Sequence, residues 1–170
     1  NTPTEDLGNT TNHYLKLQPS GLNVIKVSCL EENFVFPFQV KMIGNKTNQR
    51  VKAQLNTWNE DELKAYNNKE KTSYTLLPSS LYSLTSTEVS FEEGISIVDV
   101  EVKFNPSKVF AESRKKGIEY LIALKLTSNE IRVRDRQDEI LLSLSFDYPT
   151  VGFATSAKEI SMNKDLIPVD

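Results

Sequence analysis

Between Ile97 and Asn105 the chain reads Val98-Asp99-Val100-Glu101-Val102-Lys103-Phe104, with apolar and charged residues in strict alternation. Successive side chains of an extended strand point to opposite faces, so this run puts three valines and a phenylalanine on one face and three charges on the other. A helix would scatter the same residues around its circumference. The run therefore commits its part of the chain to a sheet with one dry face and one wet face, and the remaining sequence must supply partner strands and a second layer. Asn105-Pro106 stops it.

The rest of the chain supplies them. Leu22 to Ser28 is the first core signal, and in Phe34 to Ile43 the side chains of Phe36, Phe38, Val40 and Met42 share a face. Pro37 lacks an N–H, which predicts an edge or bulged strand there. Val51, Ala53 and Leu55 alternate with Lys52, Gln54 and Asn56, and Trp58 falls in the outward phase. Tyr74 to Leu77 is strand-forming until Pro78 ends it, and Ser79-Ser80 makes a corner. Val89 and Phe91 alternate with Ser90 and Glu92 before the turn Glu93-Gly94. Tyr120, Ile122, Leu124 and Leu126 form one inward row, and Ile140, Leu142, Leu144, Phe146 and Tyr148 another before Pro149. Seven or more short strands parted by turn signals predict an all-β sandwich of two antiparallel sheets.

One short helix interrupts this pattern near residues 59 to 66. Asn59 followed three residues later by Glu62 has the form of an N-cap with a carboxylate reaching back, and acids fill the first turn. Asn67 or Asn68 is expected to close it in the left-handed conformation, leaving Leu63 and Tyr66 as the face laid on the sheet. Residues 107–117 are read as a brief turn or helical piece ended by Gly117. The implied organisation is a flexible arm over 1–20 with one short strand around Tyr14–Leu17, a sandwich over 21–149, and a tail or connection over 150–170.

At 170 residues a single core suffices, since a chain of this size buries about 70% of its unfolded surface. Twenty basic and 23 acidic residues give a net charge of −3, which favours neither nucleic acid nor an anionic membrane as a partner. No run approaches the roughly 18 apolar residues of a membrane-spanning helix. The start at Asn-Thr-Pro-Thr, without methionine, suggests a processed product. The single Cys29 has no internal disulfide partner. Beside a strand and without a visible base, it is expected to be buried and unreactive.

Residues able to do chemistry are sparse. His13, the one histidine, lies in the N-terminal arm. Glu60-Asp61-Glu62 is explained by helix-start electrostatics and Glu92-Glu93 by a solvated turn, so neither is favoured as the carboxylate pair of a glycan-cleaving enzyme. Asn45-Lys46-Thr47-Asn48 has no carboxylate for calcium, and no Gly-rich phosphate loop or Cys-His cluster occurs, so no cofactor or metal is expected. Arg114-Lys115-Lys116 and the series Arg132, Arg134, Arg136 are interleaved with acids, as on a solvated face. Saccharides lay their C–H faces on exposed rings, and Trp58 with Asn56 and Asn59 is the candidate ligand contact of that kind. The simpler and favoured alternative is that Trp58 fastens the helix to the sheet.

The series Tyr66-Asn67, Tyr74-x-Leu76-Leu77-Pro78, Tyr82, Val89-x-Phe91-x-x-Gly94 and Tyr120-x-Ile122, in this order between about Val35 and Tyr148, resembles a domain of unknown function common in Bacteroidetes secreted lipoproteins. That domain often precedes glycoside hydrolase or carbohydrate-binding domains. The chain departs from the family's pattern at Ile122-Ala123, where Leu-Pro is usual, and at Asn56, where Asp is frequent. The resemblance implies an immunoglobulin-like sandwich without catalytic residues. It also implies a periplasmic or cell-surface location, with a lipid anchor upstream and a glycan, a neighbouring domain or an outer-membrane protein as partner. The expected function is thus a non-catalytic accessory or binding module with a glycan association. A spacer without ligand is the alternative, and an uncharacterised hydrolase the least favoured.

Overall fold

The structure, a computed structural model, describes residues 13–44 and 50–147. Among them the chain runs through β1 (Tyr14–Gln18), β2 (Gly21–Ser28), β3 (Phe34–Ile43), β4 (Val51–Thr57), α1 (Glu60–Glu70) and β5 (Tyr74–Leu76). It continues through β6 (Tyr82–Leu84), β7 (Glu88–Phe91), β8 (Ile97–Phe104), α2 (Pro106–Lys116), β9 (Glu119–Thr127) and β10 (Glu139–Asp147). A four-stranded sheet of order β1-β3-β8-β6 faces a larger sheet of order β2-β10-β9-β4-β7, with β5 also paired to β9. The alternating run is β8, and its Val100, Val102 and Phe104 are buried while Lys103 is exposed. Opposite them Ile122, Leu124, Leu126, Ile140 and Leu142 complete the core.

Pairing direction differs from the purely antiparallel expectation in two places. β10 runs parallel to β2, with Ile140 beside Gly21 and Phe146 beside Val27, and β5 runs parallel to β9. Side-chain alternation is the same in either direction, so the pattern of residues carries no signal for this choice. β4 and β5 lie on the same side of β9, β4 along Leu124–Thr127 and β5 along Glu119–Leu121. The helix α1 is what the chain inserts between them.

Pro37 occupies a paired position in the interior of β3, opposite Glu101. The N–H and C=O of Glu101 both engage Thr85, on the β6 side, so Pro37 turns its nitrogen away from β8. On that other side the β1 pairing begins only at Gln39, opposite Gln18. The strand is thus internal along Gln39–Ile43 and an edge at Pro37, and no ladder bond needs the missing N–H.

Among the described residues there are two α-helices where one was expected. α1 has the predicted capping box, with Glu62 N donating to Asn59 Oδ1 at 2.8 Å and Asn59 N donating to Glu62 Oε1 at 2.9 Å. It runs one turn past Asn67 and closes at Lys71 in the left-handed conformation, φ 59°. The brief piece after Pro106 is a full helix of 11 residues. Asn105 caps it through Lys108 N at 3.1 Å, proline takes a first-turn position, and Gly117 closes it at φ 65°. These are the residue types that favour helix ends.

The strand expected near Tyr14–Leu17 is β1, and its Leu15 and Leu17 are buried in the core. Its outer edge is covered by the segment between β9 and β10. Leu15 N donates to Arg132 O at 2.9 Å, Arg134 N to Leu15 O at 2.9 Å, and Leu17 N to Gln137 O at 2.8 Å. Backbone groups that would otherwise template another strand are thereby satisfied. The arm before His13, the loop Asn45 to Asn48, Tyr148 and the tail lie outside the described residues.

Candidate functional site

The outer face of the larger sheet carries a second apolar cluster of Trp58, Leu63, Leu121, Ala123 and Leu141, flanked by Tyr66, Tyr74 and Leu76. Its origin lies in β9, where Tyr120-Leu121-Ile122-Ala123-Leu124 is apolar without interruption and buried throughout. Even-numbered residues face the main core and odd-numbered ones the outside, so the outer face needs a cover of its own. The helix α1 provides it through Leu63 and Tyr66. That unbroken run was the readable signal for this second layer, and following only the inward row missed it.

Trp58 stands in the outward phase read from the sequence, but the outward face is roofed and its side chain is only 7% exposed. Its ring lies 5.5 Å from that of Tyr66, and Tyr66 lies 6.4 Å from Tyr74. Its Nε1 donates to Glu139 Oε2 at 2.9 Å, which satisfies the one polar atom of the indole. The ring weighed from the sequence as a sugar contact thus packs between the helix and the sheet. Of its two companions, Asn59 is occupied in the helix cap, and Asn56 is exposed and donates from Nδ2 to Thr127 Oγ1 at 3.1 Å.

Burial shifts the ionisable groups around this layer. Desolvation raises the Glu139 carboxyl above the ordinary carboxylate range and nearby Asp138 and Glu62 add to the effect, while the Trp58 hydrogen bond and Lys125 oppose it. The Tyr66 phenol is raised by burial first and then by Glu70 and Tyr74, and burial raises Tyr82. A cleft of about 220 Å³ opens beside the ring, lined by Trp58, Leu76, Leu77, Tyr82 and Leu121 among others, with no carboxylate. Two larger clefts lie elsewhere. One of about 460 Å³ is bounded by Phe110, Arg114, Ile118, Glu119 and Phe146, and one of about 380 Å³ by Glu32, Phe34, Leu81, Tyr82 and Lys103. Each is lined by a single carboxylate. Among the described residues no group of three or more His, Cys, Asp or Glu side chains is placed to hold a metal ion. Cys29 is buried, and the Nε2 of His13 lies 3.2 Å from Met42 Sδ. Among the described residues no helix is long and apolar enough to cross a membrane.

Several solved structures with this architecture come from Bacteroides. A candidate carbohydrate-binding protein from Bacteroides ovatus superposes with a TM-score of 0.63 at 18% identity, over 78% of this chain and 37% of that one. A two-domain protein of unknown function from Bacteroides fragilis gives 0.59 at 14%, over 87% and 52%. EndoBT-3987 from Bacteroides thetaiotaomicron, solved with a Man5GlcNAc product, gives 0.59 at 16%, over 78% and 31%. At these identities the likeness is one of fold, and the chain spans between about a third and a half of each of these proteins. No curated protein matches the sequence. A family model described as that of an N-terminal domain matches residues 6–133, well over half of the chain, and the protein belongs to that family.

Proposed function

We propose that the chain is a non-catalytic accessory domain of a larger glycan-handling protein of the periplasm or cell surface. The observation that carries this reading is the match of residues 6–133 to a family model of an N-terminal domain. Hydrolysis of a glycosidic bond by the usual mechanism needs two carboxyl groups about 5–10 Å apart across the bond, and among the described residues the clefts of about 460 and 380 Å³ are each lined by one. Membership of a family of N-terminal domains, and the small share that the chain makes up of its structural neighbours, support a role beside another domain. A lipid anchor upstream would place such a domain between the membrane and its neighbour.

A spacer without ligand is the second reading, favoured by the burial of Trp58, since the ring best suited to stack a sugar is used inside the fold. Asn56 and the ring edge reached through the adjoining cleft are the parts of the weighed set open to a ligand. Incubation of the purified chain with neutral and acidic oligosaccharides, followed by counting of new reducing ends, tests the accessory reading. No new ends are expected. Saturable release of reducing ends that copurifies with the chain would overturn it.

A further inference from the structure

The outer face of the smaller sheet gathers positive charge in a chain whose net charge is −3. On β1 the outward residues are Tyr14, Lys16 and Gln18, and Lys16 stands directly opposite Lys41 of β3. Like charges placed directly across two strands repel, and a sheet built for stability alone would pair a lysine with a carboxylate. Among the described residues neither lysine is in an ion pair. Arg132 and Arg134 reach the same face from the segment that edges β1, because Val133 between them bridges to Leu15 and packs inward. Their guanidinium carbons lie 5.3 and 5.1 Å from the centre of the Tyr14 ring, and Arg134 Nη1 donates to the Tyr14 hydroxyl at 2.7 Å. Held against an aromatic ring, the Arg134 guanidinium keeps its charge and loses part of its freedom. On the same face β8 carries the carboxylates Asp99 and Glu101, and Asp99 accepts a hydrogen bond from Gln39 Nε2 at 3.0 Å.

We propose that this face, formed by Tyr14, Lys16, Lys41, Arg132 and Arg134, binds an acidic polysaccharide through its carboxylate or sulfate groups. Lys16 and Lys41 on adjoining strands, with Arg134 on the segment that edges β1, suit a polymer that repeats its anionic groups, and the amide of Gln18 on the same face suits its hydroxyls. The arginine series read from sequence as merely solvated is placed here with a task. The inference rests on the reading of the chain as a glycan-associated accessory domain and names the ligand class for it.

The test is retention of the full chain on immobilised polyuronate, a sulfated polysaccharide, a neutral polysaccharide, duplex DNA and anionic lipid vesicles, for the native sequence and for Lys16→Gln/Lys41→Glu. The double substitution should weaken binding to polyuronate or to the sulfated chain by roughly tenfold or more, and added salt should weaken native binding in the same direction. Whether polyuronate or the sulfated chain binds tells which anionic group is recognised. The melting temperature of the variant should stay level or rise, since a repulsion is removed, which separates loss of a site from loss of the fold. No retention on either acidic polysaccharide overturns the inference, as does equal retention on the neutral chain, stronger retention on DNA or vesicles, or binding that ignores the substitution. None of those outcomes touches the accessory reading, which fails only if the chain cleaves a glycan.

Discussion

Trp58 and Glu139 show how one residue pair decides between a binding surface and a structural joint. Indole buries a large apolar area but carries an N–H that must be satisfied, and Glu139 on the neighbouring β10 accepts it. The cost falls on the carboxylate, whose desolvation raises its pKa above the ordinary carboxylate value. A carboxyl whose folded pKa lies above its unfolded value contributes stability that is fully present below the unfolded pKa and is lost as pH rises through the folded one. Glu139→Gln keeps an acceptor for the indole and removes the charge, so its stability relative to the native chain should improve between about pH 3 and about pH 7. Urea midpoints at the two pH values would show it. A difference that does not change with pH would mean that Glu139 is not desolvated in this way.

At the scale of the element, α1 is held at both ends by asparagines whose jobs differ. Asn59 closes the N-terminus through the capping box, as its spacing to Glu62 indicated. Asn67 does not end the helix; it ties the following turn to β5. Its Oδ1 accepts from Thr72 Oγ1 at 2.8 Å and Tyr74 N at 3.1 Å, and its Nδ2 donates to Tyr74 O at 3.0 Å. Lys71 takes the left-handed conformation just before that turn. Asn67→Ala should therefore cost about 1–3 kcal/mol, because it leaves partly buried backbone groups of Tyr74 without partners. Asn67→Asp, which retains the acceptor and loses the donor, should recover part of that in chemical unfolding. Equal losses for the two would assign the effect to packing and not to these hydrogen bonds.

For the molecule as a whole, the two packed sheets make inward and outward positions on adjacent strands unequal. Ile122 is 1% exposed between the sheets, whereas Lys103 is exposed on the outer face of the smaller one, with Glu101 3.8 Å away. Ile122→Ala should cost about 2–5 kcal/mol, since the cavity lies between layers that cannot close on it. Lys103→Ala should remain within about 0.5 kcal/mol. Comparable values in urea unfolding would place the register of β8 or β9 off by one residue, which inverts every side chain of a strand.

The sequence by itself determined most of the strands with their inward residues, the N-terminal cap of α1 and the ends of α2, because these depend on neighbours within a few positions. Alternation from Val98 to Phe104 fixes which side of β8 is dry whatever lies beyond it, and Asn105-Pro106 with Gly117 brackets α2 even though that segment was read as only a brief piece. The tertiary structure decided pairing and cover. Alternation does not distinguish a parallel from an antiparallel neighbour, so the β2–β10 pairing arises only when residues more than a hundred positions apart are brought together. It also decided how far Trp58 is buried. Trp58 points outward, as its phase requires, and is buried because Leu63 and Tyr66 come down over Leu121, Ala123 and Leu141. Likewise Arg132 and Arg134 share a face with Lys16 and Lys41 because the segment after β9 pairs with β1, a contact no local pattern announces.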